Sequence, residues 1–558
     1  MNSAVPESIQ HDDALVHDPR TLRNILIGMI TALVAVIAAM SGLNVAQQEM
    51  AVGLNASQNG VLWIINSYTL TLASSLLPVG AIGDRWGRKK VLMTGLVVFG
   101  VATIGALFAN SAAAMIAARV VAGVGAAMIM PVTLSIITSS FPPENRGKAI
   151  GIWAGFAGGG GMIGLFVSAF AIDVLSWHWV FAMPLALVVV SLFFTGRFAP
   201  ESRDDSEHPF DFAGSILSLF AVGGIVLGVH EGPERGWSDP LTIAGLVVGI
   251  VAVAAFVLVE RRHVNPLLDV ALFRDRRLSS STVGLVILFA AMFGIFLVLF
   301  PFFQAVLGWS SLRSASAMLP MMFVMMPLST TAPKVAARIG RRVTMASGLL
   351  AFTGGLVVMA SFATVERGYA AILPGLVLIG LGMGLAMTPA TEAITESLPA
   401  EKQGVASAIN DTTRELGATI GVALLGSILS AGYRSSIESK LAGFPAAVRE
   451  PAADGLASAF GVAAGAGKDA PRIINAARHA FVDAWVTSMW LGAGLVALGA
   501  LYLFVFGPRR APELPRDARS TDGPQADGQL EPDVSDHQER ARLRTEQRRA
   551  SEVLRRLN

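Results

Sequence analysis

Over 558 residues the chain is 53% hydrophobic and only 15% charged, with a mean hydropathy of +0.59. An ordinary soluble domain carries about 25% charged residues, so this protein is an integral membrane protein. A formal net charge of +2 gives no basic field for nucleic acid, and the absence of cysteine excludes disulfides, thiolate chemistry and sulfur-based zinc or iron–sulfur sites. The first apolar run, Ile25 to Leu43, is too long for the apolar region of a signal peptide and leads straight into further apolar runs. It reads as the first transmembrane helix.

A helix crosses the hydrocarbon in about 20 residues. By that measure there are about fourteen crossings, centred near residues 35, 72, 100, 125, 158, 187, 220, 250, 290, 326, 352, 384, 418 and 495. The runs are continuously apolar, whereas barrel strands alternate, so the expected fold is all-α. Lysine and arginine set the orientation. The links 84–90, 142–148, 260–277 and 334–342 are dense in base, whereas 48–60 and 110–113 have none and other links carry single arginines, Arg235, Arg313 and Arg367. The basic links are therefore expected in the cytoplasm, together with both termini. The fifth crossing, Gly151 to Phe170, is uncharged but crowded with glycine, including Gly158 to Gly161. Small residues there let helix backbones approach closely and slide.

The chain repeats itself. "GAIGDRWGRKKV" (80–91) and "PKVAARIGRRV" (333–343) match, with Gly87 against Gly340. A weak repeat of two six-helix halves marks a transporter with its substrate site between them. The organisation that follows is a cytoplasmic N-terminal segment (1–22), a six-helix bundle (23–200), two linking helices with a cytoplasmic loop (201–278), and a second six-helix bundle (279–508). This last contains a long external loop (432–478), rich in alanine, glycine and proline. A disordered, charged cytoplasmic tail (509–558) completes the chain.

These stretches resemble a known family. "GAIGDRWGRKK" (80–90) is similar to the signature loop between the second and third helices of the major facilitator superfamily, and "ARVVAGVGAA" (118–127) to the arginine motif of its fourth helix. "FDFAGSILS" (210–218), "PLLDVALFRDRRL" (266–278) and "GVASAINDTTRELGATIGVALLGSIL" (404–429) resemble its fourteen-helix drug:proton antiporter branch. The resemblance implies a major facilitator fold, two six-helix bundles plus two extra transmembrane helices, and a multidrug efflux permease of the bacterial inner membrane. It also ties Arg119 to proton coupling. Two positions depart from the branch: Ala39 stands where an acidic residue is usual, and Gly164-Leu165-Phe166-Val167-Ser168 lacks the family's Gly-Pro and paired glycines.

The residues also suggest roles directly. Asp84 and Arg88, four apart at a helix end, can pair with each other or with a neighbouring helix. With Gly80, Arg85 and Gly87 they form a candidate conformational latch, the alternative being that the bases serve only as topology anchors. Arg119 lies inside the bilayer, where an ionisable residue is either functional or bonded to helix carbonyls. Without an acid at position 39, proton handling falls to Glu392, Asp411, Arg414 and Glu415. A carboxyl group in a low-dielectric cavity favours its protonated form, although Arg414 could instead neutralise a neighbour in a fixed pair. Asn44, Gln47, Trp63, Asn66 and Tyr68, with Phe302, Phe303 and Gln304, are candidates to line a substrate cavity, or else to pack in the core.

No metal-ligand cluster, phosphate loop or nucleophile–base pair stands out, so no cofactor, no metal and no enzymatic activity are expected. The expected activity is proton-coupled efflux of hydrophobic or cationic amphipathic compounds by a monomer whose partners are that substrate, protons and membrane lipid. A lipid or metabolite exporter with weak or no proton coupling is the alternative, with a polytopic membrane sensor behind it.

Overall fold

A computed structural model describes residues 15–203 and 210–508. The start of the N-terminal segment and the tail expected to be disordered lie outside the described residues. Helices α1 (Pro19–Gly53), α2 (Gln58–Trp86), α3 (Arg88–Leu107), α4 (Ala112–Ser140), α5 (Pro143–Val174) and α6 (Ala182–Phe198) form the first bundle. Next come α7 (Phe212–Arg235) and α8 (Pro240–Glu260). The second bundle contains α9 (Arg276–Pro301), the short α10 (Ser311–Ser316) leading into α11 (Leu319–Ile339), α12 (Arg341–Phe362), α13 (Leu373–Thr395) and α14 (Gln403–Lys440). Two short helices, α15 (Ala446–Ala453) and α16 (Leu456–Gly465), precede the last, α17 (Ala470–Phe506).

Among the described residues, fourteen helical segments are long and apolar enough to span a membrane, and there is no strand. Their starts are written locally. Asp18, Ser57, Ser111, Asp211, Asp239 and Asp275 each accept a backbone N–H one to three residues into the helix that follows. The repeat is visible in the backbone: Gly87 (φ 110°) and Gly340 (φ 93°) each end one helix and begin the next. A side chain is strained at such angles, so glycine occupies both turns.

Helix pairing repeats as well. In the first bundle α1 packs on α5 and α6, and α4 on α2 and α3; in the second, α9 packs on α14 and α17, and α13 on α11 and α12. The bundles meet where α2 touches α14 and where α5 touches α11. These two contacts are reciprocal under the repeat, as a pseudo-two-fold axis requires.

The glycines of α5 divide between two partners. At Gly151 a Cβ would lie 2.5 Å from the Ser329 carbonyl of α11, and Gly158 and Gly159 lie against Met325 and Met322 of the same helix. Gly160 and Gly161 face Val34 and Ile37 of α1, and a Cβ at Gly164 would lie 2.5 Å from the Ala38 backbone. One helix thus packs closely against both its own bundle and the other, and glycine makes both approaches possible.

Helices α7 and α8 form a tight pair, with Gly224 and Gly228 against Gly249 and Gly245. Val222 and Val226 of α7 form a small apolar cluster with Leu70 and Ala73 of α2 and Leu416 of α14. The pair therefore sits along the seam between the bundles.

The stretch 432–478 is mostly helical. Helix α14 continues to Lys440, α15 and α16 follow, and the Tyr433 hydroxyl donates to the Ala452 carbonyl at 3.2 Å. Composition pointed to a loop, but alanine is the best helix former and the prolines at 445 and 471 fall at helix starts, where proline is tolerated, while Pro451 lies inside the short α15.

Candidate functional site

The face carrying the basic links is called the basic face below. There the turn between α2 and α3 meets the second bundle. Asp84 and Arg88 are both buried. Arg88 donates to Asp84 Oδ1 through Nε at 3.0 Å and Nη2 at 2.8 Å. Across the seam the Gly404 N–H donates to Asp84 Oδ1 at 2.7 Å, and the Val405 N–H to Oδ2 at 3.0 Å. Arg88 Nη2 donates in turn to the Ala400 and Glu401 carbonyls, each at 3.1 Å. The first N–H groups of a helix lack intrahelical acceptors and its N-terminus favours negative charge, so Asp84 caps α14 from another part of the chain. Glycine at position 80 permits this approach: a Cβ there would lie 2.6 Å from the Gly404 carbonyl. Gly87 supplies the turn, and Arg85 is half-buried on α2.

The proton-coupling candidates fall into three places. Arg119 is buried with its guanidinium 4.0 Å over the Tyr68 ring, and its Nε has no hydrogen-bond partner among the described residues. The Tyr68 hydroxyl donates to the Val36 carbonyl at 3.0 Å, so this group belongs to the first bundle. Glu392 lies at the basic face, 3.8 Å from Arg341, and its Oε1 would be 2.6 Å from a Cβ at Gly147 of α5. It is not brought to the remaining acids.

Asp411, Arg414 and Glu415 are buried on α14. Asp411 Oδ1 accepts from Asn410 Nδ2 at 3.2 Å and Arg414 Nη1 at 3.4 Å, whereas Oδ2 has no partner among the described residues. Glu415 Oε2 and Arg414 Nε are likewise without a hydrogen-bond partner among the described residues. Thr391 of α13 donates to Asn410 Oδ1 at 3.0 Å. Arg414 reaches into the first bundle, where Nη2 donates to the Ala157 carbonyl at 3.3 Å and the guanidinium lies 5.6 Å from the Trp153 ring. Phe289 of α9 lies under the same guanidinium at 4.8 Å. Buried polar groups are ordinarily satisfied, so two acids and a base at the seam stand out for hydrogen-bond positions left unfilled among the described residues.

The cavity candidates are dispersed. The side chain of Asn44 lies outside the described residues. Gln47, Trp63 and Asn66 are half-buried, and Tyr68 is taken up by Arg119. Phe302 stacks on Trp485 at 5.0 Å and Phe303 on Trp309 at 5.6 Å, while Gln304 donates to the Ser311 hydroxyl at 2.9 Å. Those three therefore pack within the second bundle. Trp153 and the N–H groups of Gly404 and Val405 were missed as site members. A backbone donor carries no side-chain signal, and tryptophan on an apolar helix reads as core.

Residues 28–422 match the sequence model of the Major Facilitator Superfamily. The chain belongs to that superfamily. It is a multi-pass membrane transporter, not an enzyme. It is 32% identical over 399 residues to the multidrug resistance protein Stp of Mycobacterium tuberculosis, covering 71% of this chain and 74% of that one. It is 33% identical over 445 residues to the multidrug efflux pump LfrA of Mycolicibacterium smegmatis, covering 79% and 87%. The methyl viologen resistance protein SmvA of Salmonella typhimurium is 29% identical over 501 residues, covering 87% and 98%. Among solved structures, a bacterial homologue of the human lysosomal transporter Spinster matches with a TM-score of 0.55 at 16% identity, over 89% of this chain and all of that one. The proton:xylose symporter XylE matches at 0.55 and 14% identity, over 88% and 97%. These two share the fold.

Proposed function

We propose that this transporter exports hydrophobic or cationic drug-like compounds across the bacterial inner membrane in exchange for protons, alternating access between the two faces, as a monomer with both termini in the cytoplasm. The names of the relatives support the substrate class. The observation that carries proton coupling is the buried Asp411–Arg414–Glu415 group at the seam. The oxygens that have no partner among the described residues leave room for protonation, and Arg414 joins the group to the first bundle. The Asp84–Arg88 junction serves as the latch on the basic face and holds the bundles together there in one access state.

The test is efflux of a panel of dyes in inverted membrane vesicles under an imposed pH gradient. Asp411→Asn suppresses pH-driven transport most strongly, Glu415→Gln follows, and Glu49→Gln, on an exposed side chain, leaves it unchanged. Full pH-driven transport in both α14 variants, with substrate binding intact, would overturn the assignment. A second reading, a lipid or metabolite exporter with weak proton coupling, is favoured by Ala39, a buried position without an acid, and by Leu165. It gains if dye export persists without the gradient.

A further inference from the structure

The segment joining the bundles touches the latch at both of its ends. At its start, the Arg88 N–H donates to the Ser202 carbonyl at 3.0 Å and the Lys89 N–H to Glu201 Oε1 at 3.0 Å. Glu201 thus caps α3 and pins the linker to the first bundle. At its far end, Lys402 of the second bundle donates to the Pro266 carbonyl at 2.9 Å and lies 3.5 Å from Asn265 Oδ1. Lys402 stands between Glu401, whose carbonyl accepts from Arg88, and Gly404, which donates to Asp84.

The loop that Lys402 grips is itself fixed. The Leu267 N–H donates to Asp211 Oδ2 and the Leu268 N–H to Glu260 Oε2, each at 3.2 Å, while Asp211 Oδ1 caps α7 by accepting from Gly214 N–H at 2.8 Å. This arrangement gives the stretches 210–218 and 266–278 a mechanical role. Acids at the base of α7 and α8 hold the loop so that it presents a carbonyl to a lysine of the other bundle. Along its length α7 follows α2, with Gly223 against Ser74. The linker is therefore anchored to the first bundle by its start and by α7, and Lys402 crosses from the second.

We propose that Lys402 is a positioning residue of the basic-face gate: through Pro266 and Asn265 it straps the interbundle linker to the start of α14, and it lets go when Asp84 releases Gly404 and Val405. The proposal rests on the latch reading above. An ammonium donating to a carbonyl is a charge-assisted hydrogen bond, stronger than a neutral one, so its loss shifts the gate towards opening without touching the substrate site.

The chain has no native cysteine, so one introduced thiol reports on the seam without background. Ser329 of α11 is fully buried, with Gly151 and Gly155 of α5 beside it, and Ser329→Cys is nearly isosteric. In inverted vesicles, labelling of that thiol by a membrane-impermeant maleimide measures opening of the basic face. Lys402→Met in this background raises the labelling rate roughly tenfold, the equivalent of about 1.4 kcal/mol, and Lys402→Arg returns it towards the reference. Asp84→Asn also raises it, and the double variant gains less than the product of the two because both act on one closure. Should Lys402→Met not accumulate in the membrane, Asn265→Ala tests the strap from the linker side, with about a threefold rise expected. A reference rate in the lysine or asparagine variant alongside a raised rate in Asp84→Asn overturns the strap and leaves the latch standing. Reference rates in all of them overturn both.

Discussion

The two turns related by the repeat have the same backbone and opposite allegiances. Gly87 and Gly340 share their positive φ, and each is followed by an arginine, Arg88 or Arg341. Three residues before the glycine, the first turn has Asp84 and the second has Ala337. With the aspartate, Arg88 is buried and bonded across the seam. Without it, Arg341 turns back to Glu396 of its own bundle in a bidentate pair at 2.5 and 2.6 Å, more than a quarter of its side chain still exposed. Glycine copies a backbone, while the carboxylate three residues before it stands only in the turn whose arginine is bonded across the seam.

The largest effect on this contrast should come from Asp84→Asn. Removing one member of a buried, bonded charge pair leaves the other uncompensated, at a cost on the order of 3 kcal/mol. The basic face opens and transport falls, while insertion is retained because the surrounding arginines and lysines still set topology. Wild-type transport in this variant would remove the latch. Gly151→Val comes next. Its Cβ would meet the Ser329 carbonyl, so the bundles are forced apart at a cost of about 1–3 kcal/mol. Gly105→Val is the control, since among the described residues no neighbouring atom comes closer than 3.9 Å to a Cβ there. Equal transport in the two would mean that α5 does not slide closely on α11.

Arg341→Gln should cost less, on the order of 1 kcal/mol, because its bonded partner Glu396 is half exposed and such a pair contributes little, the rest of the loss coming from buried Glu392 beside it; thermal unfolding in detergent at low and high salt measures it. The smallest effect belongs to Ala337→Asp. Its side chain is exposed, so the new acid pairs weakly with its neighbours and does not rescue Asp84→Asn. Rescue would show that an acid three residues before the glycine is sufficient wherever it stands, and that burial across the seam is irrelevant.

The spans and the repeat were legible in the sequence because each depends on residues close together in the chain. Twenty apolar residues, or a glycine and a basic pair recurring at matching offsets, signal without reference to the rest of the fold, whereas the caps were found only in the structure. The pairing of Asp84 with Arg88 was equally local, four residues apart on one helix. The grouping of Asp411, Arg414 and Glu415 was local too. The sequence offers Glu392, near the inner end of the preceding span, as a further proton-handling acid, and tertiary packing sets it beside Arg341 and Gly147.

Tertiary structure decided what those local signals meet. Asp84 finds its donors 320 residues away, on backbone N–H groups that every residue but proline carries. Lys402 finds a carbonyl at Pro266, 136 positions earlier. The glycines of α5 announced close packing, but only the arrangement of α1 and α11 on its two sides distributed them between partners. Composition and periodicity determined a fourteen-span helical membrane protein because the hydrophobic requirement acts residue by residue. Which charges are satisfied, and which are left open at the seam, depends on groups brought together from distant parts of the chain, and so it was settled only by the fold.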